Sequence, residues 1–357
     1  MTAFPRVSIV TPAYNAAGTI EKALQSVLAQ TYPHWEQVVV DDGSGDETGN
    51  VVASFFSRDS RIRMIHQSQG GEAAARNAGL KKAQYEWLLF LDADDWIAST
   101  YLEHMTNLLM LDASTDAVIC RVARVALDGT VVIEEDNLPE GDLFPILARY
   151  PPFHVHACVV RKSIVDEVGG FDTSLERCPD WDLWQRVARS GARFAALDEV
   201  LAYYRMSPNG VSLDAEKMLR DSLIILRRGH APDARVRSPS PRYANGMPAE
   251  QIVTQEFYLL SWCAGLLLGA GRDARPLLEM VKGDRYPELW PPSVAHCILE
   301  AAPLPACKAP HEWQNLVPVL MKHLDEFLSA LEKQTHAPDL TRRTRDEILK
   351  KIELSSC

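Results

Sequence analysis

Apolar residues gather in short runs over the first two hundred positions, and most runs give way to a stretch with helical spacing. "RVSIVT" (6–11) predicts a buried strand, because its β-branched residues run with little interruption. It stops at Pro12, Ala13, Tyr14 and Asn15, after which "TIEKALQSVLAQ" carries Ile20, Leu24, Val27 and Leu28 on one helical face. "EQVVVDDGS" (36–44) and "RIRMIHQ" (61–67) predict strands two and three. "EAAARNAGLKKA" (72–83) predicts a helix and "EWLLFLDADD" (86–95) a fourth strand. Such alternation implies an α/β fold with a mainly parallel nucleotide-binding sheet flanked by helices. Right-handed crossovers bring the strand ends to one edge, where open α/β sheets take their ligands.

Further along, a helix is expected over 99–111 and a strand over "DAVICRVARVA" (116–126). "DGTVVIEEDNLPEG" (128–141) reads as an exposed acidic hairpin or loop. "HVHACVVRKSIVDEVGGFD" (154–172) reads as strand, helix and Gly-Gly turn, with His154 and His156 on one strand face in a structural role. "DWDLWQRVARSG" (180–191) follows as a helix, and "ARFAALDEVLAYYRM" (192–206) returns to strand. Residues 229–248 are rich in Pro, Arg and Ser, which predicts a linker or long loop between a domain at 1–228 and a helical domain at 249–357. In the latter, Leu320, Leu324, Phe327, Leu328 and Leu331 form a helical stripe, and "TRRTRDEILKKIEL" predicts a final helix. "FYLLSWCAGLLLGAG" (257–271) falls short of the roughly 18–20 apolar residues that span a bilayer, so a buried helix is expected.

Composition narrows the function more than the fold. The 357 residues carry a net charge of −11, which argues against broad binding of a phosphate backbone but leaves room for a metal-bridged diphosphate. Seven cysteines without a CxxC pair suit reduced thiols rather than disulfides or zinc. The Met1–Arg6 stretch lacks the apolar core of a secretory signal, so a cytoplasmic location is expected. The remaining chemistry lies where strands end. In "DADD", Asp92 and Asp94 are two apart and point to the same side of an extended backbone. Magnesium is commonly held by one or two such carboxylates plus substrate phosphates.

"TPAYN", "DDGS", "GGEAAARNAGL", "DADD", "VGGFD", "DWDLWQR" and "LAYYRMSPNGVS" occur in that order, and together they resemble the family 2 glycosyltransferases of the GT-A fold over about residues 5–215. The resemblance implies an inverting transfer from a nucleotide diphosphate sugar, with UDP the expected nucleotide and Mg2+ or Mn2+ as cofactor. Tyr14 and the Pro12–Ala13 backbone would face the base, beside Asn15. Asp42 is implied as the partner of the uracil N3, and Asp41 as orienting the loop or the ribose. Asp94 is implied as the direct metal ligand, Asp92 as contacting the ribose or metal, Ala93 as donor-binding, and Arg76 and Asn77 as bracing the donor site. Asp180 is implied as general base, Asp182 as structural, and Trp181 and Trp184 as core or acceptor-pocket residues.

Two departures stand out. Pro179 precedes Asp180 where the family usually has Glu, and Met206–Ser207 stand where many members have a histidine after "YR". They leave open a catalytically weakened sugar-nucleotide-binding or scaffold protein; a nucleotidyltransferase is a third reading, without a basic glycine-rich loop to favour it. The acceptor, whether glycan, lipid, peptide or small molecule, is not named by the sequence. The C-terminal helices could serve acceptor recognition, self-association or a protein partner. No nucleic-acid partner is expected.

Overall fold

A computed structural model describes residues 4–126, 128–134, 138–207, 213–282, 288–307 and 310–354. The strands are β1 (Val7–Ala13), β2 (Trp35–Asp41), β3 (Ile62–His66), β4 (Trp87–Phe90), β5 (Trp96–Ile97), β6 (Ala117–Val125), β7 (Val131–Glu134), β8 (Cys158–Arg161) and β9 (Phe194–Arg205). They run in the order β3-β2-β1-β4-β8-β6-β9-β5 across a mixed α/β sheet. Strands β1 to β4 pair in parallel, whereas β8 joins β4 and β6 antiparallel and β5 joins β9 antiparallel. Every residue of β1, β2 and β4 is buried, which explains why their sequences read as continuous apolar runs rather than alternations.

Register positions the strand ends. Ala13 pairs with Asp41 and Val10 with Phe90, so Tyr14, Asp42 and Asp92 emerge along one edge. The helices crossing between these strands are α1 (Ile20–Leu28), α2 (Thr48–Phe56) and α3 (Glu72–Lys82). A Cβ on Gly79 of α3 would stand 2.3 Å from Val10 Cγ1, so a glycine there lets the helix lie directly on β1. Helix α4 (Tyr101–Leu111) follows β5, α5 (Phe144–Leu147) and α6 (Lys162–Glu167) flank β8, and α7 (Pro179–Arg189) leads into β9. Helix α2 is not evident from the sequence. Its Gly49, Val51 and Val52 are weak helix formers, and its start is fixed by Asp46, which accepts from the Thr48 N–H at 3.0 Å. His154–Ala157 is not strand as expected; Val155–Ala157 form a 3₁₀ turn ahead of β8.

Two compact units emerge, and their borders differ from 1–228, 229–248 and 249–357. One comprises the chain up to Arg124 with Glu134–Arg205 and Pro232–Gly246; the other comprises Val125–Ile133, Met206–Ala231 and Met247–Cys357. Most of the expected linker thus belongs to the sheet-bearing unit, because Arg235 is drawn into a cluster of acids there. The second unit holds α8 (Ala215–Gly229), α9 (Ile252–Gly269), α10 (Pro291–Ala301), α11 (Val317–Thr335) and α12 (Leu340–Leu354). Leu320, Leu324, Phe327, Leu328 and Leu331 form the buried stripe of α11. Helix α9 has the length and hydropathy of a membrane span, yet it packs against α8, α10 and α11. Gly265 and Gly269 let it press on α10, since a Cβ on Gly265 would meet the Ile298 carbonyl oxygen at 2.5 Å.

Candidate active site

Loops after β1 and β2 are stitched to each other. Asn15 adopts a left-handed backbone (φ 48°), its N–H donates to Ser44 Oγ at 3.0 Å, and its side-chain oxygen accepts from the Gly45 N–H at 2.9 Å. Asn tolerates that conformation better than most residues, which is the local reason for its place there. Tyr14, held between the fixed Asn15 and the buried end of β1, is 47% exposed. An aromatic ring left open at a sheet edge offers a flat apolar face.

Both acids that end β2 carry loops. Asp41 accepts from the Ser44 N–H at 3.0 Å and meets His66 Nδ1 at 2.9 Å. Burial works to raise the Asp41 carboxyl, but the bonds from Ser44 and His66 outweigh it and hold it below its ordinary range. Asp42 accepts from Gln67 Nε2 at 2.7 Å and from the N–H groups of Gly70 and Gly71, both at 2.8 Å. Three of the roughly four acceptor positions of that carboxylate are therefore used within the protein.

Arg76 is the centre of the cleft. Carried by α3, it is 2% exposed, donates through Nη2 to Asp92 at 2.6 Å and also pairs with Glu72. Its guanidinium carbon lies 5.2 Å from the centroid of the Phe171 ring, which meets Phe90 edge-on at 4.8 Å. Burial opposes its charge, but Asp92, Glu72 and Asp180 hold the guanidinium above its ordinary value. Asn77, the next residue, turns to the Gly-Gly turn. Its amide donates to the Phe171 carbonyl and accepts from the Phe171 N–H, both at 2.8 Å. Both ends of that amide are used in fixing α3 to the turn, rather than on the donor side expected for it.

Around Arg76 the carboxylates outnumber their partners. Loss of hydration and repulsion from Asp92 push Asp94 up to about 6, against the pull of Arg205 and Arg76. Loss of hydration in the crowded cleft likewise pushes Glu72 up to about 7, with Asp92, Asp180 and Asp94 repelling it and Arg76 attracting it; its outer edge stays open to solvent. Burial raises the Asp180 carboxyl above its ordinary range, while Arg76, the Trp181 N–H and His154 oppose the rise and Asp92 adds to it. Asp180 sits in the first turn of α7, after Cys178 in a left-handed conformation and Pro179 at the helix start. A raised carboxyl is the state expected of a proton acceptor working near neutral pH. Glu72 escaped the sequence reading, although its spacing of four from Arg76 was the available signal.

Neighbouring acids belong to the frame. Asp95 is buried, accepts from the Arg205 N–H at 2.8 Å and pairs with His156 Nδ1 at 3.1 Å. His154 stacks on Tyr204 with ring centroids 4.8 Å apart. Asp182, two residues past Asp180, is fully buried and pairs with Arg186 at 2.8 Å and Arg235 at 2.9 Å. Arg186 in turn donates to the carbonyls of Val168 and Gly170, and Arg235 also reaches Asp233 and Asp172. Trp181 is core, its Nε1 donating to the Leu147 carbonyl at 2.6 Å, and Trp184 is buried against Phe153. Met206 and Ser207 are described; 208–212 of the last motif lie outside the described residues.

No group of three His, Cys, Asp or Glu among the described residues is arranged to hold a metal ion unaided. The strand ends at Phe90 and residues 92–95 turn, the Asp95 N–H donating to the Asp92 carbonyl at 3.2 Å, so the extended backbone expected to set Asp92 and Asp94 on one side is not formed. The exposed Asp94 with Asp92 near it still offers two carboxylates, which suit a hard cation that completes its shell with phosphate and water.

Residues 8–168 match the family model for Glycosyl transferase family 2. TuaG of Bacillus subtilis (strain 168), a glycosyltransferase provisionally placed in teichuronic acid biosynthesis, is 28% identical over 62% of this chain and 88% of its own. Several other curated relatives are spanned over less than two thirds of their length. Among solved structures, the mannosyltransferase PcManGT of Pyrobaculum calidifontis, in complex with GDP-Man and Mn2+, superposes with a TM-score of 0.54 at 20% identity, covering 99% of this chain and 88% of that one. S. aureus TarS 1–349 in complex with UDP gives 0.50 at 16% identity, covering 98% and 90%. These likenesses show a GT-A type fold.

Proposed function

We propose that this chain, whose residues 8–168 match the family model for Glycosyl transferase family 2, moves a sugar from a nucleotide diphosphate sugar, UDP-linked by expectation, to an acceptor in one inverting displacement. The carrying observation is the convergence of Asp92, Asp94 and the raised Asp180 on one buried arginine, beside the strand end that exposes Tyr14. Tyr14 offers its face to the base, and Asp42 keeps one acceptor position for a ring N–H. Asp94 and Asp92 would hold Mg2+ or Mn2+, which when bound offsets the diphosphate charge and stabilises the leaving group. Arg76 fixes Asp92 and draws off part of the cleft's negative charge. Asp180 accepts the proton of the acceptor nucleophile as the new glycosidic bond forms and the bond to the nucleoside diphosphate breaks. UDP bound to TarS and GDP-Man with Mn2+ bound to PcManGT support the ligand class but differ in base.

Calorimetry with UDP and GDP, each with and without Mn2+, tests this on the full chain. A diphosphate should bind tightly only with Mn2+, and Asp94→Ala should abolish the metal-dependent gain. Equal affinity with and without the cation would refute the metal assignment. Release of free UDP or GDP from the sugar nucleotide, rather than pyrophosphate, would separate this activity from a nucleotidyltransferase.

A further inference from the structure

Beside the acidic cleft lies a feature of opposite sign that the roles above leave unused. Trp96 in β5 pairs with Tyr203 in β9, and the two rings stack with centroids 5.5 Å apart and planes 9° from parallel. Lys22, from the first turn of α1, places Nζ 3.1 Å from the centroid of the Trp96 ring. Arg205, two residues beyond Tyr203, brings its guanidinium carbon within 5.1 Å of the same centroid. Two cations thus share one indole.

Continuing the antiparallel register from Trp96 and Tyr203 brings Arg205 alongside Asp94. There its Nε donates to the Asp94 carbonyl at 2.8 Å and its N–H to Asp95 Oδ1. Those bonds use the backbone and Nε, and among the described residues no carboxylate side chain pairs with the two Nη atoms. Lys22 likewise forms no ion pair with a carboxylate among the described residues. Partial burial lowers the Lys22 ammonium below its ordinary value, and the charge of Arg205 lowers it further. The Asp94 and Asp95 carboxylates pull on Arg205 from one side, while Lys22 and the Arg205 Nη atoms have no carboxylate partner among the described residues and so keep capacity for an anion. The guanidinium fork suits the paired oxygens of a phosphate or carboxylate, and an ammonium adds a point charge beside it.

We infer that Lys22, Trp96 and Arg205 form an oxyanion subsite adjoining Asp94, which grips a phosphate or carboxylate of a substrate. It deepens the proposed donor site, and two sources share its chemistry: the donor's diphosphate, or an acid on the acceptor. Trp96 holds the two cations in place, and Tyr203 backs the indole.

Calorimetry on the full chain with Mn2+ distinguishes these sources, comparing the parent with Lys22→Gln and with Arg205→Lys, which keeps the charge but not the fork. The probes are UDP, uridine, and inorganic phosphate added to free and to UDP-saturated protein. The Lys22 side chain is exposed and makes no hydrogen bond among the described residues, so Lys22→Gln should melt with the parent. A roughly tenfold loss for UDP with uridine unchanged would assign the donor diphosphate. Unchanged UDP affinity, with loss of phosphate binding to the UDP-saturated protein, would assign an acidic acceptor. Lack of UDP binding by the parent would refute the nucleotide reading, yet phosphate binding to free protein would still test the subsite. Parent and Lys22→Gln binding every probe equally would overturn the inference.

Discussion

Asp180 and Asp182 stand two residues apart on α7 and face opposite electrostatic settings. Asp182 is wholly buried and held by two arginines, one of them, Arg235, delivered from a distant segment. Asp180 shares a single arginine with Asp92 and Glu72, and its carboxyl is raised. The first arrangement is a closed ion-pair network: Asp182 with Arg186 and Arg235, and those with Asp233, Asp172 and the Gly-Gly turn. The second is left short of positive charge, so it has capacity for a cation or a proton. Charge density alone does not mark a working carboxylate; incomplete compensation does.

The comparison can be broken most forcefully at Asp182. Asp182→Asn leaves the buried Arg186 and the partly exposed Arg235 without their shared acid, and breaking a buried pair costs about 3–5 kcal/mol. Denaturant unfolding should show that loss, with Arg235→Met costing less because Arg235 is partly exposed. Parent-like stability in Asp182→Asn would mean that the network is ornamental, and the contrast with Asp180 would lose its basis.

Asp180→Asn should act on rate instead. Transfer should fall by about 10²-fold or more while UDP affinity and stability hold, because the amide keeps the shape but cannot accept the proton. A smaller loss is expected with a strongly nucleophilic acceptor. If Asp182→Asn abolishes transfer in a folded protein while Asp180→Asn leaves it intact, the two roles are reversed.

Tyr14 sharpens the contrast on the nucleotide side. Its exposure excludes a core role, and stacking on a base is worth about 1–3 kcal/mol per ring. Tyr14→Ala should therefore weaken UDP by that amount and leave the melting temperature alone. An unchanged UDP affinity would remove the ring from the donor site.

Local pattern carried much of this into the sequence. Runs such as Val7–Val10 and Leu88–Leu91 foretell buried parallel strands, and the acids that follow them fall on the expected edge. What escaped depends on long-range partners. Residues 229–248 have a linker's composition, and nothing local says that Arg235 will be drawn to Asp182, 53 residues away. Asn77 lies in a helix segment beside Arg76, but its amide is committed to Phe171, 94 residues on. Asp41 and Asp42 read as ligand groups, yet they also hold the loops at 44 and 67–71 together, a task visible only once the loops meet.

The smallest expected effect is a pH slope, and it tests whether the cleft is under-compensated at all. Asp94 is raised to about 6 and Glu72 to about 7, so the folded protein keeps protons that the unfolded chain has already released. Stability of the metal-free protein should fall as pH rises from about 4 to about 7 on their account, and the slope should vanish above that window. Both side chains reach solvent, which screens them, so a contribution below about 1 kcal/mol per pH unit is expected. Melting curves of the parent and of an Asp94→Asn, Glu72→Gln double variant isolate that share. The double variant should be more stable than the parent at pH 7 and nearly equal to it at pH 4, since its amides cannot ionise against Asp92 and Asp180. An identical slope in both proteins would show that the carboxylates are already compensated, and the contrast between the cleft and the network on the same helix would then be one of burial alone.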